Sequence, residues 1–315
     1  MNLYSYLMSM CEAAKTTRAK SSKISTALFL LNYTLISRLE NLILKLWPWR
    51  NCSLYGSTSF DLNTSEEKVC VSLTSFPARI NSVAYTIKSL LLQTRRPDRI
   101  TLWLAESQFP TKELPSRLEW LVSKGLEIRY CKDLKSHKKY YYALQEQSPS
   151  ELVITVDDDI IYHPHTIERL IETHKTTPDA IVCSLTHIIT FDDTGNIKPY
   201  AEWGTSENNA GNNPNNMPLT GSGCLYPHGV MINETFNVEK IKEYAFTVDD
   251  IWIGLMSKLS GVDIVTPRIV PKTFTVVSYS QSVHLGKENC IGNGNNIAIK
   301  NLIKEYPLFL EKIKL

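Results

Sequence analysis

The sequence predicts an α/β protein in which a doubly wound, mainly parallel sheet is flanked by helices. Two observations carry this prediction. From residue 69 onward, short apolar runs alternate with segments of helical periodicity, which is the pattern of strand–helix–strand units. In addition, the apolar run that begins at residue 152 ends abruptly in Asp157, Asp158 and Asp159. A buried strand ends in this way where it reaches the ligand-binding edge of such a sheet.

Composition and charge are those of an ordinary globular protein. Of the 315 residues, 43% are hydrophobic and 21% are charged, and the formal net charge is +2. These values give no reason to expect a nucleic-acid partner or extensive disorder. The 7 cysteines are scattered and form no C-x-x-C pair, so neither a disulfide scaffold nor a zinc site is predicted. A reducing cytoplasm is the expected compartment.

Residues 1–68 are predicted to be a helical extension that ends in a linker. The apolar run at residues 24–36 is too short to cross a bilayer, which takes about 20 apolar residues. The residues after it have amphipathic helical spacing, and nearby basic residues and tryptophans favour peripheral attachment of residues 24–47 to the inner membrane face. Packing of the same helices on the main domain is the alternative, and a signal anchor is a third. Residues 51–68 are polar and are predicted to be the linker.

The main domain is expected to span residues 69–286, with a first half at 69–185 and a second half at 186–286. In the first half, strands are expected at 69–74, 99–104, 126–130, 152–156 and 180–185, and helices at 83–93, 114–123, 138–147 and 166–174. A closing helix is expected within residues 287–315.

The three aspartates that follow the central strand are the strongest candidate site. Adjacent carboxylates at this position are hard oxygen ligands suited to Mg²⁺ or Mn²⁺, which would be shared with a substrate diphosphate. An acidic turn that caps the next helix is the alternative. Because one aspartate would be enough for a cap, the metal-site interpretation is favoured.

The second half contains a long Gly/Asn/Pro-rich stretch, at 187–217, that is interpreted as an acceptor-side flap or as disorder. Trp203 within it could stack on a sugar ring or pack in the core. Beyond it, Gly221 would let the backbone approach a ligand closely. Asp249 and Asp250 then open an apolar helix, where one carboxylate can cap the helix and the other can act as a base.

These motifs carry a resemblance in the first half. The sequence Ser-Leu-Thr-Ser-Phe-Pro-Ala-Arg at 72–79, the Leu-Leu-Leu-Gln-Thr at 90–94 and the aspartate triplet resemble the nucleotide-sugar half of GT-A fold glycosyltransferases. The resemblance implies a GT-A fold and a metal bound by Asp159 and Asp157. It implies that the donor is bound by Thr74, Ser75, Phe76, Arg79, Lys138, Asp157 and Asp158.

The second half resembles the acceptor half of bacterial polysaccharide glycosyltransferases and of exostosin-like hexosaminyltransferases. The resemblance implies that Asp249 or Asp250 contacts the acceptor hydroxyl, with Asp250 favoured as the catalytic base. Gly221 and Ser222 would lie beside the acceptor. His284 corresponds to a late histidine that completes the metal shell in many GT-A enzymes, with an ordinary loop histidine as the alternative.

We therefore expect a metal-dependent glycosyltransferase that uses Mn²⁺ or Mg²⁺ and moves a sugar from a nucleotide-sugar donor, with UDP as the expected nucleotide, to a saccharide or lipid-linked saccharide. Synthesis of cell-surface polysaccharide is the expected setting. Two rival functions remain open, a nucleotidyltransferase and a non-catalytic sugar- or nucleotide-binding protein. The first would normally need a glycine-rich triphosphate loop, which residues 74–79 lack.

Overall fold

The computed structural model describes residues 3–16, 23–49, 52, 67–208, 211–269, 271, 274–278 and 293–313. Within these ranges, the side chains of residues 15, 16, 23–31 and 208 are not described. The helices are α1 (Leu3–Thr16), α2 (Lys23–Leu46), α3 (Val83–Leu91), α4 (Ser116–Val122), α5 (Lys138–Gln145), α6 (Thr166–Thr176), α7 (Val238–Lys240), α8 (Asp249–Leu259), α9 (Gly294–Glu305) and α10 (Leu308–Lys312). The strands are β1 (Lys68–Thr74), β2 (Arg99–Ala105), β3 (Glu127–Cys131), β4 (Glu151–Val156), β5 (Ile160–Ile161), β6 (Ile181–Cys183), β7 (Thr186–Ile188), β8 (Gly204–Thr205), β9 (Asn216–Pro218), β10 (Ser222–Tyr226), β11 (Ile264–Val265) and β12 (Thr275–Val276).

A 7-stranded sheet in the order β11-β6-β10-β4-β1-β2-β3 forms the centre of the molecule. Its strand pairs are parallel except for those of β10, which runs antiparallel to both β4 and β6. The predicted mixed, mainly parallel sheet flanked by helices is confirmed.

Apolar side chains cover both faces of the sheet. Alternate residues of the strands point to opposite faces. One face packs mainly with α3, α4, α6 and the N-terminal helices, and the other with α8, α9 and α10. Strands that are buried on both faces read as continuous apolar runs, which is why the first-half strands could be located from the sequence.

The structure differs from the sequence prediction in the second half. Residues 222–226, which directly follow Gly221, form β10 in the middle of the sheet, a strand that the sequence pattern does not predict. The stretch at 187–217 is anchored by a 3-stranded antiparallel sheet in the order β8-β7-β9. The expected closing helix is divided into α9 and α10 at Pro307, because proline is poorly accommodated inside a helix.

The N-terminal helices pack on the main domain. Tyr4, Met8 and Leu44 are almost fully buried in the same apolar cluster as β1 and α3. Lys88 on α3 donates hydrogen bonds to the carbonyls of Leu44 at 2.5 Å and Trp47 at 2.7 Å, and so caps the carboxyl end of α2. Among the described residues, none of the helices combines the length and the apolar character that a membrane crossing requires.

Candidate active site

The candidate site lies where β1 and β4 end, beside the turn before β10 and the start of α8. β1 and β4 are parallel neighbours in which Ser72 pairs with Thr155. Three residues further along, the same register brings Ser75 beside Asp158. Thr155 also donates a hydrogen bond to the carbonyl of Thr220 at 2.8 Å, which holds the turn before β10 against the end of β4.

Asp158 is buried and hydrogen-bonded to residues of the turn that follows β1. Its carboxylate accepts hydrogen bonds from the Ser75 hydroxyl at 2.6 Å and from Arg79 Nη1 at 2.7 Å, and it is only 5% exposed. Burial raises the pKa of Asp158, an effect that Arg79 and Ser75 oppose. Arg79 Nη1 also lies 2.9 Å from Asp159 Oδ2. The predicted donor residues Ser75 and Arg79 therefore organise the aspartate triplet itself.

Lys139 joins the two halves of the site. Its ammonium lies 2.6 Å from Asp157 Oδ1 and 2.9 Å from Asp249 Oδ2, and the residue is 2% exposed. Burial alone would lower the pKa of Lys139, but the carboxylates of Asp157 and Asp249 raise it above its ordinary value. Lys138, which the sequence favoured, is instead paired with Asp133 at 2.9 Å.

Asp249 and Asp250 meet at Thr220. The Thr220 hydroxyl lies 2.8 Å from Asp249 Oδ2 and 2.5 Å from Asp250 Oδ1, and its backbone N–H donates to Asp250 Oδ1 at 2.7 Å. Burial raises the pKa of Asp249, but Lys139 and His137 outweigh this and leave it well below the usual range. Burial and the charge of Asp249 raise the pKa of Asp250 to about 7. The pair therefore combines a fixed anion with a carboxyl that titrates near neutral pH.

His137 holds the start of α8 in place. Its Nδ1 lies 2.7 Å from the Tyr140 hydroxyl and its Nε2 lies 2.8 Å from the carbonyl of Ala245. Burial lowers the pKa of His137 to about 4, so the ring is neutral at neutral pH. A neutral ring with these neighbours donates from Nε2 to Ala245 and accepts from Tyr140, which fixes α5 to the segment that leads into α8.

Gly221 lies against the carboxylate of Asp157. A Cβ at this position would be 1.9 Å from Asp157 Oδ2, closer than non-bonded atoms approach. The Gly221 carbonyl accepts a hydrogen bond from the Tyr162 hydroxyl at 2.5 Å, and the Asp157 backbone N–H donates to that hydroxyl at 2.8 Å. The predicted close approach of backbone at Gly221 is thus made to a protein carboxylate.

Asp157 and Asp159, the predicted metal ligands, lie close together at the end of β4. Asp157 and Asp159 follow the same strand and offer hard oxygen donors, and the side chain of Asp157 is 43% exposed. Each also has a cationic neighbour, Lys139 or Arg79. Within the described part of the chain no group of three or more His, Cys, Asp or Glu side chains is placed to hold a metal ion. His284 lies outside the described residues.

The remaining predicted residues have mainly packing contacts. The Thr74 hydroxyl donates to the carbonyl of Trp103 at 2.8 Å, and the Arg79 guanidinium lies 5.5 Å from the centre of the Phe76 ring. Trp203 is 7% exposed and donates to the carbonyl of Lys198 at 2.9 Å, which leaves little of its indole for a sugar. The Ser222 hydroxyl accepts from the backbone N–H of Leu185 at 3.2 Å.

Three residues of the site were missed from the sequence, namely Lys139, Thr220 and Tyr162. Lys139 is adjacent to Lys138 in sequence, and only packing decides which ammonium enters the site. Thr220 precedes Gly221 and Tyr162 follows the aspartate triplet closely, so proximity to these motifs was the available signal.

Part of the sequence matches a known protein family. Residues 78–234 match the family model described as Glycosyl transferase family 2. No curated protein matches the sequence. Similar solved structures include the mannosyltransferase PcManGT from Pyrobaculum calidifontis in complex with GDP-Man and Mn²⁺, with 11% identity, a TM-score of 0.47 and coverage of 98% of this chain and 80% of that one.

Two further structures are similar at lower TM-score. S. aureus TarS 1-349 has 12% identity and a TM-score of 0.40, with 66% of this chain and 59% of that chain covered. The 4-diphosphocytidyl-2C-methyl-D-erythritol synthase from Anaerococcus prevotii DSM 20548 has 13% identity and a TM-score of 0.40, with 66% of this chain and 91% of that chain covered.

Proposed function

We propose that the protein is a glycosyltransferase of the GT-A fold that moves a sugar from a UDP-sugar to a saccharide or lipid-linked saccharide. The match of residues 78–234 to the model of glycosyl transferase family 2 supports this proposal. Synthesis of cell-surface polysaccharide is the setting that we propose for this reaction. The donor binds at the ends of β1 and β4, and the acceptor binds beside the start of α8.

The observation that carries the proposal is the environment of Asp250. Its pKa is raised to about 7 by burial and by Asp249 next to it, and the residue retains partial exposure. A carboxylate with a pKa near the working pH is well suited to general-base catalysis. In the proposed reaction Asp250 takes the proton of the acceptor hydroxyl. The hydroxyl oxygen then bonds to the sugar carbon while the bond to the diphosphate breaks, which inverts that carbon.

The donor residues have two proposed roles. Ser75 and Arg79 each donate a hydrogen bond to Asp158, and the three residues form the base of the donor site. Asp157, with its more exposed side chain, is left to contact the nucleotide sugar directly. Thr74 and Phe76 lie at the turn that follows β1, and Lys138 lies at the start of α5. The base and the diphosphate of the donor would bind beside these residues.

A divalent cation is the proposed cofactor. Asp157 and Asp159 would hold Mn²⁺ or Mg²⁺, and His284 remains a predicted third ligand. When bound, the cation would act as a Lewis acid that stabilises the departing nucleoside diphosphate.

We propose that the N-terminal region binds the inner membrane face peripherally through residues 24–47. Leu35, Leu39, Leu42 and Leu46 on α2 are between 48% and 74% exposed, and the exposed charged residues Arg38 and Lys45 among them are basic. Apolar side chains interspersed with cations suit an anionic lipid surface.

A thermal-shift measurement tests the proposal. The purified protein is heated with UDP, GDP, CMP and dTDP sugars, each with and without Mn²⁺. We expect UDP-sugars to raise the melting temperature only when Mn²⁺ is present, because a ligand that binds the folded state stabilises it by mass action. The variant Asp159→Ala should abolish this shift and sugar transfer. A folded protein that responds to none of the nucleotides would contradict the proposal.

A further inference from the structure

One buried ammonium contacts carboxylates from both halves of the site. Lys139 lies 2.6 Å from Asp157, which follows β4 on the donor side, and 2.9 Å from Asp249, which opens α8 on the acceptor side. The side chain is 2% exposed, so water contributes little to its solvation. A buried charge of this kind depends on its ion partners, because leaving it unpaired in the interior is costly.

The backbone around Lys139 fixes where the ammonium can reach. The carbonyl of Lys139 accepts a hydrogen bond from the buried Ser72 hydroxyl of β1 at 2.5 Å, so the start of α5 is attached to the central sheet. The preceding residue, Lys138, is attached to Asp133 after β3. Of these two adjacent lysines, only Lys139 contacts both the aspartate triplet and α8 in the described structure.

The two partners compete for the same cation. When the Asp157 carboxylate binds a nucleotide sugar, its electrostatic attraction to the Lys139 ammonium becomes weaker. The ammonium then interacts more strongly with Asp249. Asp249 shares the Thr220 hydroxyl with Asp250. A change in the donor site is therefore transmitted through Lys139 to the pair that contains the proposed base.

We propose that Lys139 is a positioning residue that couples donor binding at Asp157 to the arrangement of Asp249 and Asp250 on the acceptor side. The inference rests on the proposed function, because it takes Asp157 as a donor contact. Coupling between two binding sites is reciprocal, so if donor binding alters the acceptor side, binding on the acceptor side alters donor affinity by the same factor.

The reciprocal effect can be measured without turnover. The dissociation constant of UDP with Mn²⁺ is measured by calorimetry for the full chain and for Asp249→Asn. The neutral amide in this variant would remove one of the two carboxylates in direct contact with Lys139. The pairing of Lys139 with Asp157 would then be stronger, and the Asp157 carboxylate would be less able to bind the nucleotide. We expect UDP to bind at least about five-fold more weakly to Asp249→Asn, at the lower end of typical coupling between sites.

The neighbouring variant Asp250→Asn is the matched control. It makes the same substitution one residue further along, but Asp250 hydrogen-bonds to Thr220, whereas the direct ion pair with Lys139 at 2.9 Å is made by Asp249. It should change UDP affinity by less than about two-fold, well below typical coupling. In a Lys139→Met background, Asp249→Asn should lose its effect on UDP affinity.

Two results would overturn the inference while leaving the proposed function intact. One is unchanged UDP affinity in folded Asp249→Asn, and the other is an equal loss in Asp249→Asn and Asp250→Asn. The comparison of Asp249→Asn with Asp250→Asn tests the inference even if Lys139→Met does not fold. Failure of the wild-type protein to bind any nucleotide would overturn both the inference and the proposed function.

Discussion

Asp249 and Asp250 are adjacent in the chain, yet their pKa values move in opposite directions. Burial raises both, but Lys139 and His137 lower the pKa of Asp249 below its usual range, whereas Asp249 adds to the effect of burial on Asp250. The difference comes from the contact at 2.9 Å that Lys139 makes with Asp249. Two neighbouring carboxyl groups thereby differ in charge, because Asp249 stays ionised whereas Asp250 titrates near neutral pH.

The first prediction concerns the pH dependence of transfer. Because the folded pKa of Asp250 is about 7, kcat/KM should rise as the pH increases through 7 and the carboxylate ionises. Asp250→Asn should lower kcat by roughly 10²–10⁴-fold and remove this rise. Steady-state rates between about pH 5.5 and 8.5 measure both effects. A full pH dependence in folded Asp250→Asn would contradict the assignment.

The same raised pKa affects stability. The contribution of Asp250 to the free energy of unfolding is fully present below its ordinary pKa of 3.8. This contribution is lost as the pH rises through about 7, the pKa in the folded protein. Denaturant unfolding of wild type and Asp250→Asn at several pH values should show this loss in the wild type only.

The second prediction concerns Gly221. The Cβ of Gly221→Ala would lie 1.9 Å from Asp157 Oδ2, so the carboxylate or the turn must move. We expect weaker nucleotide binding and a loss of about 1–3 kcal/mol in the free energy of unfolding. Gly204→Ala is the control, because its Cβ would meet Ile188 Cβ at an ordinary 3.6 Å. Equal effects of the two substitutions would count against a special role for Gly221.

At the scale of elements, the insertion of β10 builds one side of the candidate site. β10 runs antiparallel between β4 and β6, so the turn that precedes it lies at the carboxyl end of β4. This arrangement places Thr220 and Gly221 next to the aspartates that follow β4. Had the strand been parallel, the turn before it would lie at the opposite edge of the sheet.

The third prediction concerns the connection between α2 and α3. Lys88→Met removes the donor that caps the carbonyls of Leu44 and Trp47, at a buried position. Leaving buried carbonyls without this partner should lower the free energy of unfolding by about 1–3 kcal/mol. Lys45→Met changes an exposed lysine on α2 and should leave stability nearly unchanged. Denaturant unfolding compares the two variants, and equal stabilities would show that the cap contributes little.

At the scale of the whole molecule, the N-terminal helices combine a buried face with an exposed apolar face. Arg169 of α6 makes two hydrogen bonds with Glu12 of α1, at 3.0 and 2.9 Å, while Tyr4, Met8 and Leu44 join the core. The outward leucines of α2 remain available to a membrane. The two sequence interpretations of this region, packing and surface attachment, are therefore compatible.

The fourth prediction tests this outward face. The protein should bind vesicles that contain phosphatidylglycerol more strongly than neutral ones. The double substitution Leu39→Glu with Leu42→Glu should weaken binding at least about ten-fold, since each leucine contributes about 1.5–3 kcal/mol when buried. Leu308→Glu with Leu310→Glu on α10 is the control, because these leucines are 58% and 47% exposed. Equal binding by all variants in a sedimentation assay would exclude this contact.

The sequence by itself determined the order of helices and strands in the first half and the positions of both acidic motifs. Strand and helix periodicity are local consequences of burial, so β1 to β4 and the start of α8 were predicted to within a few residues. The roles of the individual predicted site residues stay predictions.

Only the tertiary structure decided which of two adjacent lysines enters the site, how β10 joins the sheet, and which aspartate of the pair titrates near pH 7. Each of these depends on contacts between segments distant in the chain, such as Lys139 with Asp249 and Thr220 with Thr155. Local composition cannot encode such contacts, because electrostatic shifts depend on distance and burial in the folded molecule.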